Sequence, residues 1–205
     1  MIAGGFEYTI KVQPLRGAGQ DRAAVFERDG GCMIALADGA GGTSNGEVAA
    51  RAVIDTAETL RAADADWCVV LRALDADARL DGGQTTAIVL RIGDDGVVGA
   101  SVGDSEAWLV APDGRVDVLT RGQHAKPLLG GGAHPTAVSG GQLGGGTLVV
   151  ASDGLFRYAK AGDIARLALG ADMNAAAAQL IDLVRLPTGS VLDDVAVVLC
   201  RVLVV

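Results

Sequence analysis

The sequence is short of basic residues, of cysteine and of long hydrophobic runs, and each shortage removes a class of function. Lys and Arg number 17 against 25 Asp and Glu, a formal charge of -8 at pH 7. A nucleic-acid groove or an anionic membrane surface requires clustered cations, so neither is an expected partner. The three cysteines, Cys32, Cys68 and Cys200, are odd in number, distant in sequence and set in apolar stretches. They read as reduced, buried thiols rather than disulfides or a zinc site. The start of the chain lacks a basic segment followed by an apolar one, and no uncharged apolar run approaches the ~20 residues of a membrane span. The expectation is a soluble, cytoplasmic protein. With 205 residues, half of them apolar, a single domain over 1–205 with a sizeable core is expected.

The most informative stretch is Met33-Ile34-Ala35-Leu36-Ala37-Asp38-Gly39-Ala40-Gly41-Gly42. An apolar run ends in one carboxylate and a glycine-rich loop, which reads as a buried strand delivering Asp38 to a rim that a ligand can approach closely. Ser44 and Glu47 have capping-box spacing, and Val48, Ala52, Val53, Ala57 and Leu60 follow at helical intervals. Upstream, Phe6, Tyr8, Ile10 and Val12 alternate with polar residues as in a half-wet strand. Residues 21–26 and 32–37 read as a hairpin closed at Asp29-Gly30-Gly31, so Asp21 and Asp38 should share one sheet edge. Asp66 is an expected N-cap for a second helix with Trp67, Val70, Leu71, Leu74 and Ala78 on one face, ended by Gly82-Gly83.

Strands are expected over 85–92, 97–103, 107–110 and 116–119, joined by short turns that make antiparallel neighbours. Residues 121–146 turn rich in glycine and read as a long surface loop or flap. The run over 147–151 again ends in an aspartate and a glycine, Asp153-Gly154. Helices follow over 164–169 and 174–186, stopped by Pro187, and Asp193-Asp194 opens a last strand over 195–205. In an antiparallel pair the end of one strand lies beside the start of the next, so Asp153 and Asp193 can meet. Asp104, after another strand, can join them.

Carboxylates gathered on one rim repel and raise one another's pKa unless cations sit between them. Oxygen-only ligation suits Mg2+ or Mn2+, and two such ions about 3.5 to 4 Å apart can clamp a phosphoryl oxygen for in-line displacement. The pattern therefore points to metal-assisted phosphoester hydrolysis. Asp-Gly at a strand end is also a common turn signal, and spacing alone leaves both readings open.

Six segments in order, Gln20-Asp21-Arg22, Ala37 to Gly42, Gly83-Gln84-Thr85-Thr86-Ala87, Ser101 to Ser105, Ala151 to Leu155 and Asp193 to Val198, resemble the metal-dependent serine/threonine protein phosphatases, the PPM or protein phosphatase 2C-like family. The resemblance spans nearly the whole chain, and wording such as Lys126-Pro127-Leu128-Leu129-Gly130 is most similar to the compact bacterial branch. It implies an α+β fold, a four-layer αββα sandwich of two antiparallel β-sheets flanked by helix pairs. It implies a cytoplasmic hydrolase acting on phosphoserine or phosphothreonine proteins, opposing a serine/threonine kinase, through a water activated by two Mn2+ or Mg2+ ions.

By the same resemblance, Asp38 bridges both metals, the Gly39 carbonyl ligates one, and Asp153 and Asp193 hold the other. Asp21 acts directly or through water, and Asp104 with Asp153 can hold a third, weaker metal. Asp194 stands where the family usually has Asn and is read as orienting Asp193, with exchanged roles as the alternative. Arg16 lies where the family places a phosphate-binding arginine, whose fork suits a phosphate dianion; a solvated loop arginine is the plain alternative.

Three positions depart from the family pattern. Gln20 stands for a common Glu, Ala40 for a histidine that protonates the leaving group in some members, and Glu106 for a common Arg. They leave room for a rival reading, a catalytically weak phosphatase-like module that recognises a kinase or phosphoprotein. His124 and His134 read as solvated loop residues, with proton transfer by His124 as an alternative. Ser105 and Ser152 read as turn residues rather than nucleophiles, and Trp67 and Trp108 as core.

Overall fold

The computed structural model describes residues 5–42 and 45–203. The first strand, β1 (Phe6–Gln13), crosses to the far end of the sequence and pairs antiparallel with β10 (Val195–Val202). β10 in turn pairs with β9 (Thr147–Ala151), which is followed by β6 (Glu106–Val110) and β7 (Val116–Val118). The second sheet runs β2 (Arg22–Arg28), β3 (Gly31–Ala37), β4 (Ala87–Gly93), β5 (Gly96–Val102) and β8 (Thr136–Gly140), again antiparallel throughout.

The two sheets stack face to face, and alternation along each strand sorts the side chains into layers. Ile34, Leu36, Ile88 and Leu90 point into a shared core with Leu148, Val150, Ala196 and Val198. The alternate residues Met33, Ala35 and Val89 pack under α1 (Gly46–Leu60) and α2 (Trp67–Asp75). On the other side, after the one-turn α3 (Asp153–Phe156), Val149, Val197 and Leu199 pack under α4 (Ala161–Ala168) and α5 (Met173–Asp182). The result is the expected αββα sandwich. It explains why β3 and β9 read as unbroken apolar runs: both faces are covered. Trp67 and Trp108 are buried as expected.

Local chemistry sets the element ends. Asp66 caps α2 by accepting from the amides of Cys68 and Val69 at 2.9 and 3.2 Å. α2 ends at Asp75, earlier than the spacing suggests, because Asp77 accepts from Arg79 N and draws residues Ala78–Leu80 into a separate 3-10 turn. Ser44, the expected cap of α1, lies outside the described residues. Asn45 precedes the helix with φ 75° and makes no side-chain cap bond. Its amide donates instead to Asp81 O at 2.9 Å. Val48, expected on the buried face, is exposed, and Ala49, Ala50 and Val53 take that face. α5 stops at Asp182, before a turn in which Leu186 N donates to Ser190 O.

The 121–146 segment is not loop throughout. β8 lies inside it and pairs with β5, Leu129 exchanges two main-chain hydrogen bonds with Thr85, and the Asp75 carboxylate accepts from Gly130 N and Ala133 N. An open sheet edge and one half-buried carboxylate dock the segment. Cys32 and Cys200, distant in sequence, meet across the two sheets with sulfurs 3.8 Å apart, both unoxidised and buried; Cys68 is only half-buried. Among the described residues no helix is long and apolar enough to cross a membrane.

Candidate active site

The hairpin register pairs Arg22 with Ala37, which sets Asp21 opposite Asp38 at one edge of the second sheet. In the first sheet Ala151 pairs with Val197, and Ser152 N continues the ladder to Ala196 O, so Asp153 leaves its strand where Asp193 and Asp194 enter theirs. The two edges face one cleft of about 740 Å3. Arg16, Asp38, Gly39, Asp104, Asp153, Asp193 and Asp194 all line it, together with Gln20, Thr86, Lys126 and Arg157. His124 and His134 are exposed and do not line it. Glu106 borders a neighbouring hollow and accepts from Trp108 Nε1 at 2.5 Å.

Asp38 is fixed through its main chain. Its amide donates to Thr86 Oγ1 at 2.9 Å, its carbonyl accepts from Thr86 N and from Thr85 Oγ1, both at 2.9 Å, and Thr86 Oγ1 is backed by Ser105 Oγ at 2.8 Å. The Gly83-Gln84-Thr85-Thr86 segment thus clamps the residue that turns out of β3. Gly39 has to be glycine: a Cβ there would stand 2.4 Å from Gly46 O, and the loop could not close onto α1. Gly154 is equally constrained, since a Cβ would meet Asp194 O at 2.1 Å.

Asp21 lies behind the cleft wall, 1% exposed. Its Oδ2 accepts from Ser152 Oγ at 2.7 Å, and Ser152 Oγ accepts from Ala196 N at 2.9 Å, so Ser152 is a buried tie rather than a nucleophile. Asp21 Oδ1 is buried without a hydrogen-bond partner. Asp194 lines the cleft and is tied to the neighbouring loop. Its carboxylate accepts from Leu15 N at 2.6 Å and Gln20 N at 2.5 Å and so holds the loop bearing Arg16, while its own amide donates to Asp193 Oδ1 at 3.0 Å. The tie to the Arg16 loop is a task that the sequence did not show.

The electrostatics are those of an anionic cluster offset only in part. Burial pushes the Asp38 carboxyl up to about 9, with the charges of Asp21, Asp153 and Asp193 adding to it. Burial also lifts Asp21 to about 7, against the opposing Ser152 hydrogen bond. Asp153 rises too, through burial and then Asp104, partly offset by Arg157. That arginine, missed in the sequence, is the cation placed among the carboxylates, 2.6 Å from Asp153. Its i,i+4 spacing from Asp153 was the available signal.

Among the described residues no three acidic, histidine or cysteine side chains are already drawn together as one ion would need. The donor chemistry nevertheless fits a hard divalent cation: oxygen-only ligands, a buried carboxylate oxygen with no partner, and carboxyls whose charged form burial and their acidic neighbours disfavour unless a cation is present. A cation between them would satisfy that oxygen and draw the group together.

No family model and no curated protein matches the chain. Solved structures do. A serine/threonine phosphatase from S. agalactiae superposes with a TM-score of 0.79 at 23% identity, covering 97% of this chain and 100% of that one. One from Staphylococcus aureus gives 0.79 at 19% identity over 98% and 96%. The catalytic domain of the phosphatase PstP, solved in complex with 2 manganese ions, gives 0.76 at 23% over 97% and 99%. This is the fold of the bacterial serine/threonine phosphatases. The phosphatase fold spans the whole sandwich, and the cleft lies where the two sheets' Asp-bearing edges meet.

Proposed function

We propose that the chain is a PPM-family, metal-dependent phosphoprotein phosphatase, a single domain acting on phosphoserine and phosphothreonine in partners phosphorylated by a serine/threonine kinase. The observation that carries this reading is the convergence of Asp38, Asp153 and Asp193, from three distant parts of the chain, on one cleft of this fold. Asp38, the Gly39 carbonyl, Asp153 and Asp193 would hold two Mn2+ or Mg2+ ions, with Asp21 supporting from behind. Such ions supply Lewis acidity toward a phosphoryl oxygen and lower the pKa of water.

The protein's own part is positional and electrostatic. Thr85 and Thr86 fix the Asp38 backbone, so its carboxylate stays aimed into the cleft. Asp194 holds the 15–20 loop, which keeps Arg16 at the rim, where its fork can grip a phosphate dianion bidentately. Lys126 lines the same cleft as a second point charge for the phosphate. Neither histidine lines the cleft, so neither is placed to protonate the leaving serine or threonine oxygen.

The test is hydrolysis of a phosphothreonine peptide by the purified protein with Mn2+ and after chelation. Turnover that requires Mn2+ and disappears in Asp38→Asn supports the reading. Mn2+ binding with no hydrolysis of any phosphopeptide would instead favour a phosphatase-like binding module.

A further inference from the structure

Arg157 is fixed one helical turn after Asp153. Its amide donates to Asp153 O at 2.9 Å, and its guanidinium reaches back over the cleft. Nη2 lies 2.6 Å from Asp153 Oδ2 and 3.9 Å from Asp104 Oδ2, and Nη1 lies 4.0 Å from Asp193 Oδ2. Among the described residues, the ion pairs of these three carboxylates all go to this one side chain. The opposite corner differs. Among the described residues no ion pair reaches Asp38 or Asp21, and Asp21 Oδ2 accepts from Ser152 Oγ. The cleft therefore has one corner that the protein partly offsets with its own cation and one left for an external cation.

We infer that Arg157 is a resident cation of the cleft: its guanidinium serves the Asp104–Asp153 corner in place of a divalent ion and competes with metal for Asp153 and Asp193. The inference rests on the metal-dependent reading proposed above and deepens it. A guanidinium carries one delocalised charge on a flexible stem, and this one is 53% exposed. Its contacts are therefore of the weak, solvent-screened kind, which metal can displace. The displacement weakens metal binding at every ligand that Arg157 holds. The chain then fills the Asp38 side first and takes a third metal between Asp104 and Asp153 only weakly while Arg157 is present.

The test is a calorimetric Mn2+ titration of the metal-free wild type, Arg157→Gln and Arg157→Lys, with folding checked by circular dichroism. Arg157→Gln is expected to take up one further equivalent of Mn2+, or to bind its weakest equivalent about fivefold tighter, as loss of a screened ion pair implies. The same stoichiometry and affinity as wild type, or weaker binding, overturns the inference while leaving the metal reading intact. If Arg157→Gln does not fold, Arg157→Lys decides: it keeps the charge and loses the fork, so about twofold tighter binding is expected, and equality or loss overturns. If no form binds Mn2+, the metal reading fails and this inference with it. Binding by Arg157→Gln alone supports the competition outright.

Discussion

Ser152 donates to Asp21 across 131 positions of chain, Oγ to Oδ2 at 2.7 Å, and this one contact ties the two sheets together directly beneath the cleft. The same hydroxyl accepts from Ala196 N. Ser152→Ala would strip a partner from a buried carboxylate and from a buried amide at once. Leaving such groups unsatisfied costs about 1–3 kcal/mol each. The variant should unfold at clearly lower denaturant concentration with an unchanged denaturant slope, and a midpoint equal to wild type would show the tie to be dispensable.

Asp38 gives a prediction with a pH dependence. Its folded carboxyl is raised from 3.8 to about 9, so the folded metal-free protein binds a proton more tightly than the unfolded chain. That contribution to stability is fully present below pH 3.8 and is lost as pH rises toward 9. Asp38→Asn should therefore remove activity while making the metal-free protein more stable at pH 8. A gain of at least ~3 °C in Tm is expected, since one pKa unit is about 1.4 kcal/mol and 1 kcal/mol shifts Tm by about 2–4 °C. The gap between variant and wild type should close toward pH 4. Thermal melts across that range check it, and a gap that widens on acidification would contradict the sign.

The contact of Gly154 with Asp194 O predicts an effect without touching any carboxylate. In Gly154→Ala the new Cβ would stand 2.1 Å from that carbonyl, and the Asp153 turn must move away from the Asp193–Asp194 strand entry. Overpacking of this kind costs about 1–3 kcal/mol. Mn2+ affinity should fall along with stability, which a thermal-shift titration would read.

Asp194→Ala should act on substrate binding. Its carboxylate holds the amides of Leu15 and Gln20, and releasing them frees the loop bearing Arg16. KM for a phosphopeptide should rise about tenfold, the cost of one lost charge-assisted contact, with a smaller change in kcat. Arg16→Ala should show the same split, and an unchanged KM in both would remove Arg16 from the site.

The neighbourhood of Asp21 and Asp38 was legible because a turn at Asp29-Gly30-Gly31 fixes the register of the hairpin and so brings its two open ends together. Asp153 and Asp193 were legible for a related reason, the pairing of a strand end with a strand start. Arg157 was not. A sequence read for converging acids does not show that a base one turn later folds back among them. The Cys32–Cys200 contact was hidden because stacking of two sheets, unlike pairing within one, leaves no periodic mark. β8 was masked by the glycines and proline around it, and its strand exists because β5 offers it an edge. Before α1, Asn45 adopts a left-handed conformation and is held by Asp81, a contact that no local pattern announces.

The central claim is that Asp38, Asp153 and Asp193 share divalent cations, and anomalous diffraction from a Mn2+-soaked crystal tests it most directly. Two anomalous peaks are predicted, both on the Asp38 carboxylate and one also touching Asp153 and Asp193. Crystals saturated with Mn2+ that show no peak among these three residues would contradict the account.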